Sequence, residues 1–277
     1  MPLGSLGRGI RDALTGTIRG AGDIVGATLD TTKDSTVKAL QGVRDIGKEA
    51  SGLAIDAVTG AVHAAHQVGS DIGGVAKGSI IGVVQGVGEV TTVTVGVLSD
   101  TVRAAIKGTR EVGGDITDAG RGAVEGALVT GKSVGLTLED SVVSVARGAI
   151  QGASEVGGDL GAAGKSVVQG TLKGTTEIGA DAVGTVRDSA REVIKSTAEV
   201  GGDLATVAKS AVEGAIEGAK DVGLKAEDAA SAVATGAVEG AAEIGEAAAT
   251  TVRDAATGVI SGVRVVVQAP FKGEEKK

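Results

Sequence analysis

Glu155–Thr176 reads EVGGDLGAAGKSVVQGTLKGTT, and the pattern starts again at Glu177-Ile178-Gly179, Glu199-Val200-Gly201, Asp221-Val222-Gly223 and Glu243-Ile244-Gly245. Backwards it runs through Ser133-Val134-Gly135, Glu111-Val112-Gly113, Glu89-Val90, Gln67-Val68-Gly69, Asp45-Ile46-Gly47 and Asp23-Ile24. Every step is 22 residues, without insertion or deletion. A fixed period of this length marks a chain built from one supersecondary unit stacked on itself. Residues 1–22 form a degenerate first repeat, 23–267 the gapless repeats, and 268–277 a charged tail, QAPFKGEEKK.

With the repeat numbered from its Glu, as at Glu155, the columns become visible. Position 18 is aliphatic in all twelve rows, including Ile106, Ile150, Leu172, Ile194, Ile216 and Ile260. Position 2 is Val or Ile from Ile24 onward, as at Val112, Val156, Ile178 and Val200. Position 1 is usually acidic and position 11 usually basic. The unit halves into two related elevens, and eleven residues in three turns is close to the α-helical period. On that wheel the Val, Ile, Leu, Ala and Gly columns form an apolar arc of about 160°, with cations on one border and carboxylates on the other.

Proline does not interrupt the pattern between Pro2 and Pro270, and Ala, Glu, Lys and Arg favour helix throughout. The fold class expected is all-α: long helices, near-continuous by preference, or folded back at Gly-Gly-Asp steps such as Gly113-Gly114-Asp115 and Gly157-Gly158-Asp159, packed as a right-handed coiled coil or bundle. Rows without a Gly pair weigh against a turn at every repeat. The runner-up is a β-solenoid with 22-residue coils, for which TTVTVGVL at Thr91–Leu98 is locally suitable. The complete absence of Asn, a residue that tight turns recruit, counts against it.

Glycine fills position 16 in nine rows, position 20 in nine and position 3 in nine. Positions 16 and 20 give seven Gly-xxx-Gly pairs: Gly16/Gly20, Gly82/Gly86, Gly148/Gly152, Gly170/Gly174, Gly214/Gly218, Gly236/Gly240 and Gly258/Gly262. A glycine inside a helix costs about 1 kcal/mol relative to alanine. With 48 glycines in the chain, an isolated helix is poorly formed, and close helix-on-helix packing along these columns is what returns the free energy.

Composition excludes several function classes. The chain has no Cys, Trp or Tyr, one Phe and one Met, so there is no thiol nucleophile and no aromatic platform. A net charge of −8 disfavours nucleic acid, which needs a basic stripe. No apolar run reaches the roughly 18 residues that span a bilayer, and the expectation is a cytoplasmic protein, free or peripheral to a membrane or inclusion.

Two decoys fall away. Gly126-Ala-Leu-Val-Thr-Gly131-Lys132-Ser133 matches the phosphate-loop pattern, but ordinary repeat stands where the buried strand should be. His63 and His66 have helical spacing but no third ligand patterned beside them. Carboxylates recur down the whole length, as a solvated edge does, and i,i+4 pairing is their expected work. Catalytic, cofactor and metal sites are not expected.

Gapless elevens and segments such as VGGDLATVAKSAVEGAIEG (Val200–Gly218) resemble the hendecad coiled coils and the eleven-residue amphipathic repeats of synucleins, apolipoproteins, perilipins and phasins. Desiccation proteins share the period, but a mean hydropathy of +0.22 separates this chain from them. The resemblance implies either a non-enzymatic structural protein that self-assembles into a rod, bundle or filament, or an amphipathic coat on a lipid membrane, droplet or polymer granule. The regular glycine columns favour the first, with another copy of the chain as partner.

Overall fold

In the computed structural model, residues 4–18, 22–42 and 46–268 are described. Among them are twelve helices: α1 (Ser5–Ile18), α2 (Ile24–Gln41), α3 (Ile46–Val68), α4 (Ile72–Val90), α5 (Val95–Glu111), α6 (Ile116–Ser133), α7 (Leu138–Glu155), α8 (Leu160–Glu177), α9 (Ala182–Glu199), α10 (Leu204–Asp221), α11 (Ala226–Ile244) and α12 (Glu246–Ala256). Two short strands, β1 (Gly258–Ile260) and β2 (Val263–Val265), close the described chain as an antiparallel hairpin. The all-α class holds. The near-continuous helix does not, because the described repeats from α3 onward turn back, and no β-solenoid is formed among the described residues.

The turn is written at positions 3 and 5. Gly69, Gly113, Gly135, Gly157, Gly179, Gly201 and Gly223, all at position 3, have φ between +59° and +83°, a conformation that a side chain strains. The next amide reaches back over the helix end, as Gly158 N to Ala153 O at 2.8 Å and Gly202 N to Thr197 O at 2.9 Å. This is the 6→1 bond of a Schellman cap. Position 5 then caps the following helix: Asp71, Asp115, Asp159, Asp181 and Asp203 each accept a hydrogen bond from amides of the first turn. Only one glycine is needed, so rows with a single Gly turn as sharply as those with a pair. Where Thr91 replaces it, α4 ends with Thr91 extended at φ −153° and ψ 176°. Thr91–Leu98 is not a strand: it is the connection followed by the first turn of α5.

Short turns, most of four residues, make consecutive helices antiparallel, and the tightest neighbours are helices two apart. Odd-numbered helices lie side by side in one layer and even-numbered helices in a second, with the layers face to face. Position 18 lies between them: Leu40, Ile106, Leu128, Ile150, Leu172 and Ile194 are 0 % exposed. Position 2 does not share this ridge. Val112, Val156, Ile178 and Val200 are C-cap residues, half-buried at the ends of their helices.

The final repeat departs from the pattern. Gly258 (φ +103°) and Gly262 (φ +80°) are hairpin residues and not helix-packing shelves, and Ile260 is buried from a strand. Ser261 (φ +49°) and Gly262 form the two-residue loop, the pairing of positive φ values that suits a tight hairpin. Helix α12 ends at Ala256, and Pro270, expected to close the last helix, lies outside the described residues with the rest of 269–277.

Candidate interaction surfaces

The glycine columns at positions 16 and 20 bring parallel helices of one layer together. A Cβ on Gly170 of α8 would stand 2.6 Å from Arg121 O of α6, and one on Gly214 of α10 would stand 2.9 Å from Lys165 O of α8. Gly174 meets Glu125 and Leu128, Gly218 meets Leu172 and Gln169, Gly148 and Gly152 of α7 meet Ser99 and Arg103, and Gly236 and Gly240 of α11 meet Arg187 and Arg191. Gly82 and Gly86 of α4 press on Leu29, Thr32, Lys33 and Thr36 of α2. The shelves therefore serve contacts within one chain. Gly16 of α1, the first helix of its layer, has nothing within 4 Å. Gly20 lies outside the described residues.

Charged side chains flank these contacts mainly as bridges between neighbouring helices, and pairs within a helix also form, Arg103 with Asp100 and Arg121 with Asp118, three residues apart. Lys107 Nζ is 2.7 Å and Arg103 Nη2 2.6 Å from the two oxygens of Glu155; Lys165 Nζ is 2.8 Å from Glu217; Lys195 and Arg191 both hold Glu243. Lys77 is the most enclosed of these cations. It donates to Glu125 at 2.8 Å and Glu177 at 2.7 Å, tying α4, α6 and α8. Burial works against its charge, and the hydrogen bonds and charges of the two glutamates outweigh it, so the Lys77 pKa is raised.

Two seams of the odd layer are wider. Position 16 is Ala104 where α5 meets α3, and Glu192 where α9 meets α7. The α3/α5 seam opens a 480 Å³ groove with Leu53, Ile55 and Ala104 in its lining, and the α7/α9 seam a 350 Å³ cleft containing Asp188 and Glu192. Glu192 is 6 % exposed and accepts from Arg147 at 3.1 Å. Burial pushes the Asp188 carboxyl up, partly offset by Arg187. At one end of the α3/α5 groove, Asp56 of α3 accepts from Gly4 N at 2.6 Å and Gly7 N at 2.7 Å, so a carboxylate from another helix caps α1.

At the other end of the odd layer, β2 lies along the flank of α11 that a further helix would occupy. Val266 N donates to Ser231 Oγ at 3.4 Å and Gln268 N to Thr235 Oγ1 at 2.9 Å. The hairpin thus closes this edge with hydroxyl partners for its amides.

The phosphate-loop match is helical. Gly126 packs against Lys77 O, and Lys132 Nζ donates to Ile178 O at 3.0 Å. His63 faces Glu111 at 3.7 Å while burial lowers its pKa, and among the described residues no group of three or more His, Cys, Asp or Glu could hold a metal. No described helix is long and apolar enough to cross a membrane. Neither the protein-family models nor the curated proteins match this chain. The reading of its role therefore rests on the geometry above.

Proposed function

We propose that the chain is a non-enzymatic structural protein whose folded helical stack assembles with further copies into a rod, bundle or filament. The observation that carries this reading is how the chain spends its chemistry. Its glycine columns, its aliphatic column and most of its buried or bridged charges are engaged in binding helix to helix. That use suits a scaffold, and the uncovered shelf at Gly16 leaves the first helix of the odd layer with a packing face of the same kind. The small-residue contacts assigned by sequence to other copies are satisfied within one chain, so assembly uses the outer faces and ends of the stack.

Sedimentation and circular dichroism in dilute buffer, with and without lipid vesicles, test this. The expected result is a strongly helical species heavier than the 26.7 kDa chain, without lipid. A monomer at every concentration refutes the assembly reading. A chain that becomes helical only on vesicles or droplets would support the alternative, a surface coat. That alternative asks the two layers to separate, because the position-18 aliphatics it would present to lipid are buried between them.

A further inference from the structure

We propose that the α7/α9 seam is a hinge, at which the stack from α9 onward swings against the stack up to α7 while the even layer stays closed as the pivot. The row that forms α9 is the one row of the twelve with a side chain at both shelf positions, Glu192 at position 16 and Ser196 at position 20. Its contact with α7 is the sparsest between full-length neighbours in either layer. The α3/α5 seam is wide as well, but there Gly108 still sits on Thr59 and Val62. At α7/α9 no shelf remains, and the 350 Å³ cleft lies between the two helices. In a stack of repeats each unit is held by its neighbours alone, so a single weak seam sets where the whole gives.

On either side the helices are tied away from the seam. Helix α7 sets Gly148 and Gly152 against Ser99 and Arg103 of α5, and its Glu155 is held by Arg103 and Lys107. Helix α9 receives Gly236 and Gly240 of α11 on its backbone, and Arg187 pairs with Glu239. Beneath the seam the even layer is unbroken: Gly170 and Gly174 of α8 close on α6, and Gly214 and Gly218 of α10 close on α8. Two firmly packed bodies over a continuous floor are the anatomy of a hinge.

Among the described residues one hydrogen-bonded pair crosses the seam. Arg147 Nη2 donates to Glu192 Oε1 at 3.1 Å, and Ser196 Oγ donates to the same oxygen at 3.4 Å from within α9. The other charges do not bridge the cleft. Arg191 and Lys195 bind Glu243 of α11, while Glu139 of α7 and Asp188 of α9 are like charges across it, offset in part by Arg187 and Arg191. The latch is asymmetric. Glu192 is enclosed and Arg147 is half-exposed. An enclosed carboxylate without its partner is costly, so loss of Arg147 favours the open seam, where water reaches Glu192. A guanidinium left without Glu192 is already half in water.

This inference goes beyond the assembly reading, because it is a property of one chain and holds whether or not copies associate. The chain has no cysteine, so spin labels on engineered thiols report without background. Labelled protein is diluted with unlabelled chain, so that distances within one copy are read. Arg110→Cys with Glu199→Cys spans α5 to α9 across the seam, and Ser133→Cys with Lys220→Cys spans α6 to α10 in the even layer; all four positions are exposed. The expected result is a broader distance distribution for the first pair than for the second. Arg147→Met shifts the first pair to longer distances and leaves the second in place. Glu192→Gly with Ser196→Gly, which restores the shelf, shortens and narrows the first. Circular dichroism verifies that each variant keeps its helices. A first pair that Arg147→Met leaves unmoved overturns the hinge, and so does a shift shared equally by both pairs, since the even layer is then no pivot. If Arg147→Met loses its helices, the unsubstituted chain decides: a first distribution no broader than the second overturns the proposal. Sedimentation reads assembly separately, so failure of the hinge leaves the structural reading standing.

Discussion

Gly170 decides whether the columns are packing surfaces or only helix-weakening ballast. Placed in an exposed helix, Gly→Ala stabilises by about 1 kcal/mol, because alanine restricts the unfolded chain and favours helix. At Gly170 the new Cβ would stand 2.6 Å from Arg121 O, 2.7 Å from Val124 Cβ and 2.9 Å from Val124 Cγ1. The first atom is helix backbone and cannot turn aside, so α8 must move away from α6. Overpacking of this kind costs about 1–3 kcal/mol. Subtracting the propensity gain leaves a net loss of up to about 2 kcal/mol. Gly16 is the matched control: it occupies the same column in α1 with nothing within 4 Å, so in the unassembled chain Gly16→Ala gains the full propensity term of about 1 kcal/mol. The two substitutions are chemically identical and differ only in what lies opposite. Urea unfolding followed by circular dichroism measures both, read as shifts in midpoint because stacked repeats need not unfold in one step. If Gly170→Ala stabilises as much as Gly16→Ala, close packing along the column is refuted.

Other substitutions address the turns, the bridges and the wide seam. Gly113→Ala, at φ +74° in open space, should destabilise by about 1–2 kcal/mol, because strain there has no compensating contact; the same urea midpoints measure it. The Thr206 hydroxyl and amide, with the Ala205 amide, hold the Asp203 carboxyl below the usual range. Its cap therefore stabilises above the unfolded pKa of about 3.9 and loses that contribution as pH falls through the lower folded value. Unfolding at a series of pH values should show the gap between wild type and Asp203→Ala closing in acid. Lys77→Met should cost about 1–3 kcal/mol, since it leaves Glu125 enclosed without its partner, and raising the salt should not restore the loss as it would for a fully exposed pair. Glu192→Ala strands Arg147 and widens the α7/α9 cleft; hydrogen exchange should rise in α7 and α9 while α8 and α10, joined through Gly214 and Gly218, keep their protection.

The helical class and the aliphatic column at position 18 were legible because both depend on local periodicity. Ile106, Ile150, Leu172, Ile194 and Ile216 are core residues as the spacing predicts. The turns are less legible for a physical reason. Gly-Gly pairs are the conspicuous signal, but one glycine at position 3 followed by a capping residue at position 5 is sufficient, as Gly135-Leu136-Thr137 and Gly179-Ala180-Asp181 show. Read as a pair of signals two residues apart, the turn recurs in rows that lack the doublet. Val112, Val156, Ile178 and Val200 at position 2 share the apolar wheel with position 18, but the chain has left the helix by the time it reaches them. The identity of the partner behind the shelves lies beyond any local pattern, because the contacts join residues about fifty apart, such as Gly170 and Arg121.

The spacing of those contacts explains an irregularity early in the stack. Gly170 meets Arg121, Gly174 meets Glu125, Gly214 meets Lys165 and Gly236 meets Arg187, always 49 residues back. Gly60 meets Gly7, Gly78 meets Val25, Gly82 meets Leu29 and Gly86 meets Lys33, 53 residues back. The difference of four residues is about one helical turn. It follows from where the early helices begin. Helix α2 starts at position 2 of its repeat, capped by Asp23 at position 1, whereas α4 and α6 start at position 6. Helix α3, 23 residues against the usual 18, carries the extra turn that joins the two phases. Because consecutive members of a layer are parallel, sliding one of them by a full turn presents a similar face, and glycine shelves accept the new neighbour without a side chain in the way. Threonines mark the slipped pair: Thr28, Thr32 and Thr36 of α2 are fully buried against Gly78, Gly82 and Gly86 of α4. The same shelf geometry that lets helices approach closely thus tolerates more than one register, and the capping residue at the start of each helix selects which one forms.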